Sequence, residues 1–174
     1  MTTKMIARTA ADVMGHPPIT VAIDTDLATA ARLMIDRNIG CLLVVDGDGM
    51  LAGMLTERVL QAQLAGGRPV ESLGFGERTI LALYGGNPRG IVFAEDALRV
   101  LGTRPAREIM IDRPVELGQG TPLWRVAEIM LREHVSHLAV TEDGRPVGVI
   151  ARHDLVRAIA GERDEPNDRG AFYT

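Results

Sequence analysis

The chain carries one pattern twice. The stretch from Ala10 to Ala62 recurs, with altered residues, from Ala106 to Arg157. Met14 returns as Met110, Pro18 as Pro114, Thr25 as Thr121, Leu27 as Leu123, Ala31 as Ala127, Met34 as Met130, Leu42 as Leu138 and Val44 as Val140, each 96 positions later. Past the next turn Gly53 returns as Gly148 and Leu60 as Leu155, 95 positions later, so the second copy has lost one residue there. A lone unit of about 55 residues buries too little surface to be comfortably stable. The repeat therefore predicts two similar units that share a core and pack about a pseudo-two-fold axis. A ligand cleft between such units comes as a pair.

The length of 174 residues fits one ordinary domain or two small fused ones. A hydrophobic share of 46% with 24% charged residues is that of a globular chain. The net charge of −4 gives no electrostatic reason to expect nucleic acid or an anionic membrane surface. No apolar run approaches the roughly 18 residues that a membrane-spanning helix needs. The opening Met1-Thr2-Thr3-Lys4 leads into no apolar signal core. The single cysteine, Cys41, rules out a disulfide within the chain and fits a reducing compartment, hence a cytoplasmic location, free or as the cytoplasmic part of a larger membrane protein.

Within the first copy, Ile19, Val21 and Ile23 alternate with Thr20, Ala22 and Asp24, the period of a half-buried strand. Thr25 suits a helix N-cap with Asp26 in the first turn; Thr121 followed by Pro122 repeats that signal. Leu27, Ala31, Met34 and Ile35 form an apolar helical stripe, matched by Leu123, Ala127, Met130 and Leu131. A short apolar strand follows, Cys41 to Val45 or Leu138 to Val140. Turns at Asp46-Gly47-Asp48-Gly49 and Glu142-Asp143-Gly144 lead into strands Leu51 to Leu55 and Pro146 to Ile150. A second helix starts near Thr56 or Ala151 and carries Val59, Leu60, Leu155, Val156 and Ile159. Each unit reads strand–helix–strand–strand–helix, an α/β (α+β) arrangement. The division is 8–63 for the first unit, 64–104 for an insert, 105–160 for the second unit and 161–174 for a polar tail. Phe93, Ala97, Val100 and Leu101 predict one short helix in the insert, either a surface excursion or a lid over one cleft.

A small unit ending in Gly-h-h-Thr-x-x-Asp, with h apolar and present twice, resembles a tandem cystathionine-β-synthase-type (CBS) domain pair, also called a Bateman module. The elements stand here as Gly53-Met54-Leu55-Thr56-Glu57-Arg58-Val59 and Gly148-Val149-Ile150-Ala151-Arg152-His153-Asp154. Val13-Met14 and Ile109-Met110 resemble the opening of each unit. Ile39 to Asp46 and Val135 to Val140 resemble its central strand.

The resemblance implies a regulatory module that is not an enzyme, requires no cofactor, and binds an adenosine nucleotide (AMP, ADP or ATP) or S-adenosylmethionine between the units. A carboxylate can accept hydrogen bonds from both ribose hydroxyls, and a helix N-terminus favours an anion. The first copy keeps Thr56 but has Val59 where the family has Asp. The second keeps Asp154 but has Ala151 where the family has Thr. The main cleft is therefore expected from Ile19, Thr20, Ile39 and Gly40 with Ala151, Arg152, His153 and Asp154. A weaker one is expected from Thr56, Arg58, Val115, Val135 and Ser136. The resemblance also implies a homodimer, and an effector protein or domain as a further partner.

Plainer readings stand beside these. Asp154 can be a solvated acid in a first helical turn, and Thr56 an N-cap. Arg58 and Arg152 can be surface charges. With those groups structural, the chain would be a dimerisation or protein-interaction module that binds no nucleotide. Cys41 reads as a small core residue, because no base is placed beside it. His134 and His137 lie three apart at a helix-to-strand junction, which favours no metal site. Gly74-Phe75-Gly76 is a weak phosphate signal, and Asp46 to Gly49 lacks the distal Glu of a calcium loop.

Overall fold

The computed structural model describes residues 8–64 and 102–161. The expected helix in the insert, Gly74-Phe75-Gly76 and the tail beyond Gly161 lie outside those residues. In the first half, β1 (Thr20–Ala22), α1 (Leu27–Asp36), β2 (Cys41–Val45), β3 (Leu51–Thr56) and α2 (Glu57–Leu64) follow in order. Two short strands, β4 (Ile111–Asp112) and β5 (Glu116–Leu117), open the second half. Then come α3 (Leu123–Arg132), β6 (His137–Glu142), β7 (Arg145–Ala151) and α4 (Arg152–Ala160).

The two copies make the same small sheet. β1 pairs parallel with β2, and β2 antiparallel with β3, just as β5 pairs parallel with β6 and β6 antiparallel with β7. A parallel pair needs a crossover, and the helix between the strands supplies it. Both central strands shift register at the same place, Val44/Val45 and Val140/Thr141. The deleted residue changes the hairpin that follows. In the second copy Asp143 and Gly144 both have positive φ, as a two-residue primed turn requires. In the first, the Asp46 carboxylate accepts from the Asp48 and Met50 amides, and Gly49 supplies the positive φ.

The segment leading into each unit packs in the other half. Ala10 and Val13 are buried among Leu117, Leu123, Val126, Leu138, Val140 and Ile150. Reciprocally, Ala106 and Ile109 are buried among Leu27, Ala30, Leu42, Val44 and Leu55. The hydrogen bonds match: Ala10 N donates to Thr121 O at 2.8 Å, and Ala106 N to Thr25 O at 2.8 Å. β4 extends the first sheet beside β3, and Gly15 bridges Val149 at the equivalent place. Here two glycines are required by close approach. A Cβ on Gly53 would strike the Met110 side chain and come within 2.9 Å of the Ile111 carbonyl oxygen. A Cβ on Gly148 would strike Met14.

Between the sheets lies a third apolar cluster, Cys41, Leu43, Met54 and Ala139, with Leu51 and Val149 against it. Strand alternation explains why Cys41 to Val44 are all buried. Leu42 and Val44 face their own helices, and Cys41 and Leu43 face the other sheet. Burial pushes the Cys41 thiol up to about 12, so it stays protonated in the core.

Three sequence expectations need correction. The cap of α1 is Asp26, not Thr25, because its carboxylate reaches the Thr29 amide at 2.9 Å; the Thr25 carbonyl instead holds Ala106. Likewise Pro122, not Thr121, caps α3, its carbonyl accepting from Arg125 and Val126. Leu27, Met34, Leu123 and Met130 are buried as expected, but the third buried position is Ala30 or Val126, on the other side of the stripe from Ala31 with Ile35 and Ala127 with Leu131. That turns Ile35 and Leu131 outward, at 77% and 76% exposure, and Val156 and Ile159 of α4 are exposed too.

Candidate functional site

In both halves a helix begins directly where a strand ends, with no loop between: Thr56 to Glu57, and Ala151 to Arg152. The first helical amide then bonds the residue preceding the neighbouring strand. Glu57 N donates to Gly40 O at 3.1 Å, and Arg152 N to Ser136 O at 3.0 Å. These two corners contain most of the polar groups expected to bind a ligand.

The Thr-x-x-Asp pattern has a structural meaning of its own. It is a reciprocal helix cap, in which the hydroxyl accepts from the third helical amide and the acid accepts from the cap amide. Each copy retains one half of it. Thr56 Oγ1 accepts from Val59 N at 3.3 Å. Asp154 Oδ2 accepts from Ala151 N at 2.7 Å. Thr56 is 7% exposed and Asp154 4%, the buried polar side chains among the described residues.

Around the start of α4, Arg152 Nε donates to Val135 O at 3.3 Å, and Ser136 Oγ lies 3.1 Å from His137 Nδ1. Val135 and Ser136, expected in the weaker cleft, thus meet Arg152, expected in the main one. Around the start of α2, the position a Cβ of Gly40 would take lies 3.4 Å from Glu57 Oε2 and 3.6 Å from His137 Nε2. His137 therefore reaches from the second half to the first. Burial, and then the charge of Arg152, hold its imidazole below the usual histidine range. Ile19 and Val115 occupy equivalent places, their carbonyls accepting from Leu43 and Ala139 at 3.2 Å each. Thr20 is exposed on β1, the strand beyond β2, and Ile39 packs against the first core. Arg58 and His153 are exposed at the second position of their helices. Glu57 and His137 were missed by the sequence reading. Setting the copies side by side gives the signal for both, since Glu57 stands at the place of Arg152 and His137 at the place of Cys41.

Among the described residues no group of three or more His, Cys, Asp or Glu side chains could hold a metal ion. No helix there is long and apolar enough to cross a membrane.

The family model of the CBS domain matches twice, over residues 10–65 and 106–161. The chain belongs to the CBS domain family. A CBS domain-containing protein of Dictyostelium discoideum is 30% identical over 83% of this chain and 86% of its own length. An uncharacterized 33.4 kDa protein in the ribosomal RNA operon of Thermofilum pendens is 24% identical over 90% of this chain. The A-adding tRNA nucleotidyltransferase of Geobacter sulfurreducens is 27% identical over 86%. The CBS pair spans 66% of the Thermofilum protein and 13% of the nucleotidyltransferase.

Solved CBS pairs share the fold. One, in complex with 5′-methylthioadenosine and S-adenosyl-L-methionine, superposes with a TM-score of 0.62 at 21% identity, covering 88% of this chain and 96% of that one. CBSX2 in complex with AMP gives 0.63 at 19% identity, covering 88% and 97%.

Proposed function

We propose that this CBS pair is a regulatory sensor that binds an adenosine nucleotide or S-adenosylmethionine at the start of α4. Asp154 takes the ribose hydroxyls, with Ala151, Arg152 and His153 beside it. The observation that carries this reading is the buried Asp154 carboxylate, fixed by the Ala151 amide at the head of a helix with Arg152 adjacent. The helix N-terminus and a guanidinium both favour a phosphate there. Solved pairs in complex with AMP, S-adenosylmethionine and methylthioadenosine support the choice of ligand class. Val59 offers no acceptor to a ribose, so the corner at Thr56 and Arg58 binds more weakly.

Thermal unfolding against AMP, ADP, ATP and S-adenosylmethionine tests the reading. A ligand at 100 times its Kd stabilises by roughly 2.7 kcal/mol. For a chain of this size that raises Tm by about 5–11 °C. No shift with any of the four contradicts it.

A specific observation favours a second reading, an interaction or homodimer module. Trp124 and Leu131 of α3 are 62% and 76% exposed, and Val156 and Ile159 of α4 are exposed as well. Sedimentation of Leu131→Glu beside the parent chain tests it, with loss of a dimer as the expected result.

A further inference from the structure

The two helix starts hold the same backbone geometry and opposite charges. Glu57 and Arg152 are the first residues of α2 and α4, and each donates its amide to the carbonyl of Gly40 or Ser136, equivalent positions in the two copies. The Glu57 side chain folds back over its corner, with Oε2 3.4 Å from the open side of Gly40. At the other corner Arg152 lies over Val135, donating Nε to its carbonyl.

We infer that the two corners sort ligands by charge, with Glu57 barring phosphate from the α2 corner and Arg152 admitting it at the α4 corner. The inference rests on the proposed adenosine site and refines it. Gly40 goes with Thr56 and Glu57, and Ser136 goes with Ala151, Arg152 and Asp154. The α2 corner then suits an adenosyl compound without phosphate, neutral or cationic, and the α4 corner suits a nucleotide.

Three features converge on Glu57. The carboxylate lies where a ligand against Gly40 would meet it. The nearest group from the other half is the His137 ring, 3.6 Å from the same point. Burial and Arg152 hold that ring below the usual histidine range, which disfavours a positive charge on it beside Glu57. A phosphate drawn against that carboxylate meets like-charge repulsion. The expected separation of adenosine from AMP at that corner is at least about tenfold.

Calorimetric titration with adenosine and with AMP tests this on the full chain. Val59→Asp supplies the acceptor that the α2 corner lacks, at the position where the second copy already carries Asp154. The variant is expected to bind two equivalents of adenosine but one of AMP. Adding Glu57→Gln is expected to admit a second AMP. A second AMP in Val59→Asp alone, as tight as adenosine, overturns the inference, and so does failure to gain a second adenosine. Should Val59→Asp not fold, Arg152→Glu, at an exposed position, gives the mirror test. It is expected to weaken AMP at least tenfold more than adenosine, and equal weakening overturns the inference. Parent protein that binds neither adenosine nor AMP overturns the charge sorting, whereas silence toward ADP, ATP and S-adenosylmethionine as well contradicts the proposed function itself.

Discussion

His137 reaches across the seam between the halves, and its surroundings make it a source of pH dependence. Its folded pKa lies below the ordinary 6.5, first through burial and then through Arg152. The charged groups facing it are Arg152 on α4 and Glu57 on α2. Between the folded and unfolded values the unfolded chain binds more protons. The contribution to stability is therefore complete above pH 6.5 and is lost as pH falls from there toward the folded value. Unfolding midpoints measured from pH 7.5 down to 5 should fall through that window. His137→Gln should flatten the fall, and an unchanged profile would remove His137 from the account. A sequence shows the histidine but not the burial or the arginine that tune it. In the sequence His134 and His137 offered only a metal reading, which their spacing at a helix-to-strand junction disfavours.

Gly53 and Gly148, at the level of elements, let a methionine from the opposite lead-in segment lie on a strand. The two sites are equivalent but not equally strict. At Gly53 a new methyl meets the Ile111 backbone carbonyl as well as Met110; at Gly148 the three nearest atoms all belong to Met14, a flexible side chain. Gly53→Ala is expected to cost about 1–3 kcal/mol and Gly148→Ala less. Denaturant melts of the two variants decide it, with equal or reversed losses contradicting the packing. Element type and order were legible because the repeat let each copy check the other. The caps were displaced by one residue because Thr25 and Asp26 can both cap, and only the fold shows Thr25 O engaged with Ala106. The outward face of Ile35 and Leu131 escaped the reading because a helix has one apolar stripe only on average. Ala30 and Val126, both fully buried, set where the core actually lies.

Across the whole molecule, the exchange of lead-in segments couples the halves. Ile109 belongs to the second unit in sequence but is buried in the core of the first half. Trp124, the single tryptophan, lies in the second half. Ile109→Ala is expected to cost about 2–5 kcal/mol. It should lower the Trp124 fluorescence midpoint by as much as the far-UV circular dichroism midpoint; a fluorescence transition left in place would mean the halves unfold separately. The pseudo-two-fold arrangement was readable from the offset of the copies, but the exchange was not, because nothing local in Ala10 or Ile109 says which core it enters. The strand-to-helix corners were legible to the same degree. Thr56 and Asp154 lie at helix starts, which the strand-to-helix pattern of each copy already marks, whereas the contacts of Gly40 and Ser136 depend on which helix start folds over them. The most direct test of the account is calorimetric titration of AMP into the parent chain and into Asp154→Asn. Asparagine keeps an acceptor for the Ala151 amide but loses the carboxylate's charge and its second acceptor oxygen. The account predicts one strong site in the parent, weakened at least tenfold in an Asp154→Asn protein that still unfolds cooperatively. Equal affinity in the two proteins would show that Asp154 only caps its helix, and would contradict the nucleotide site.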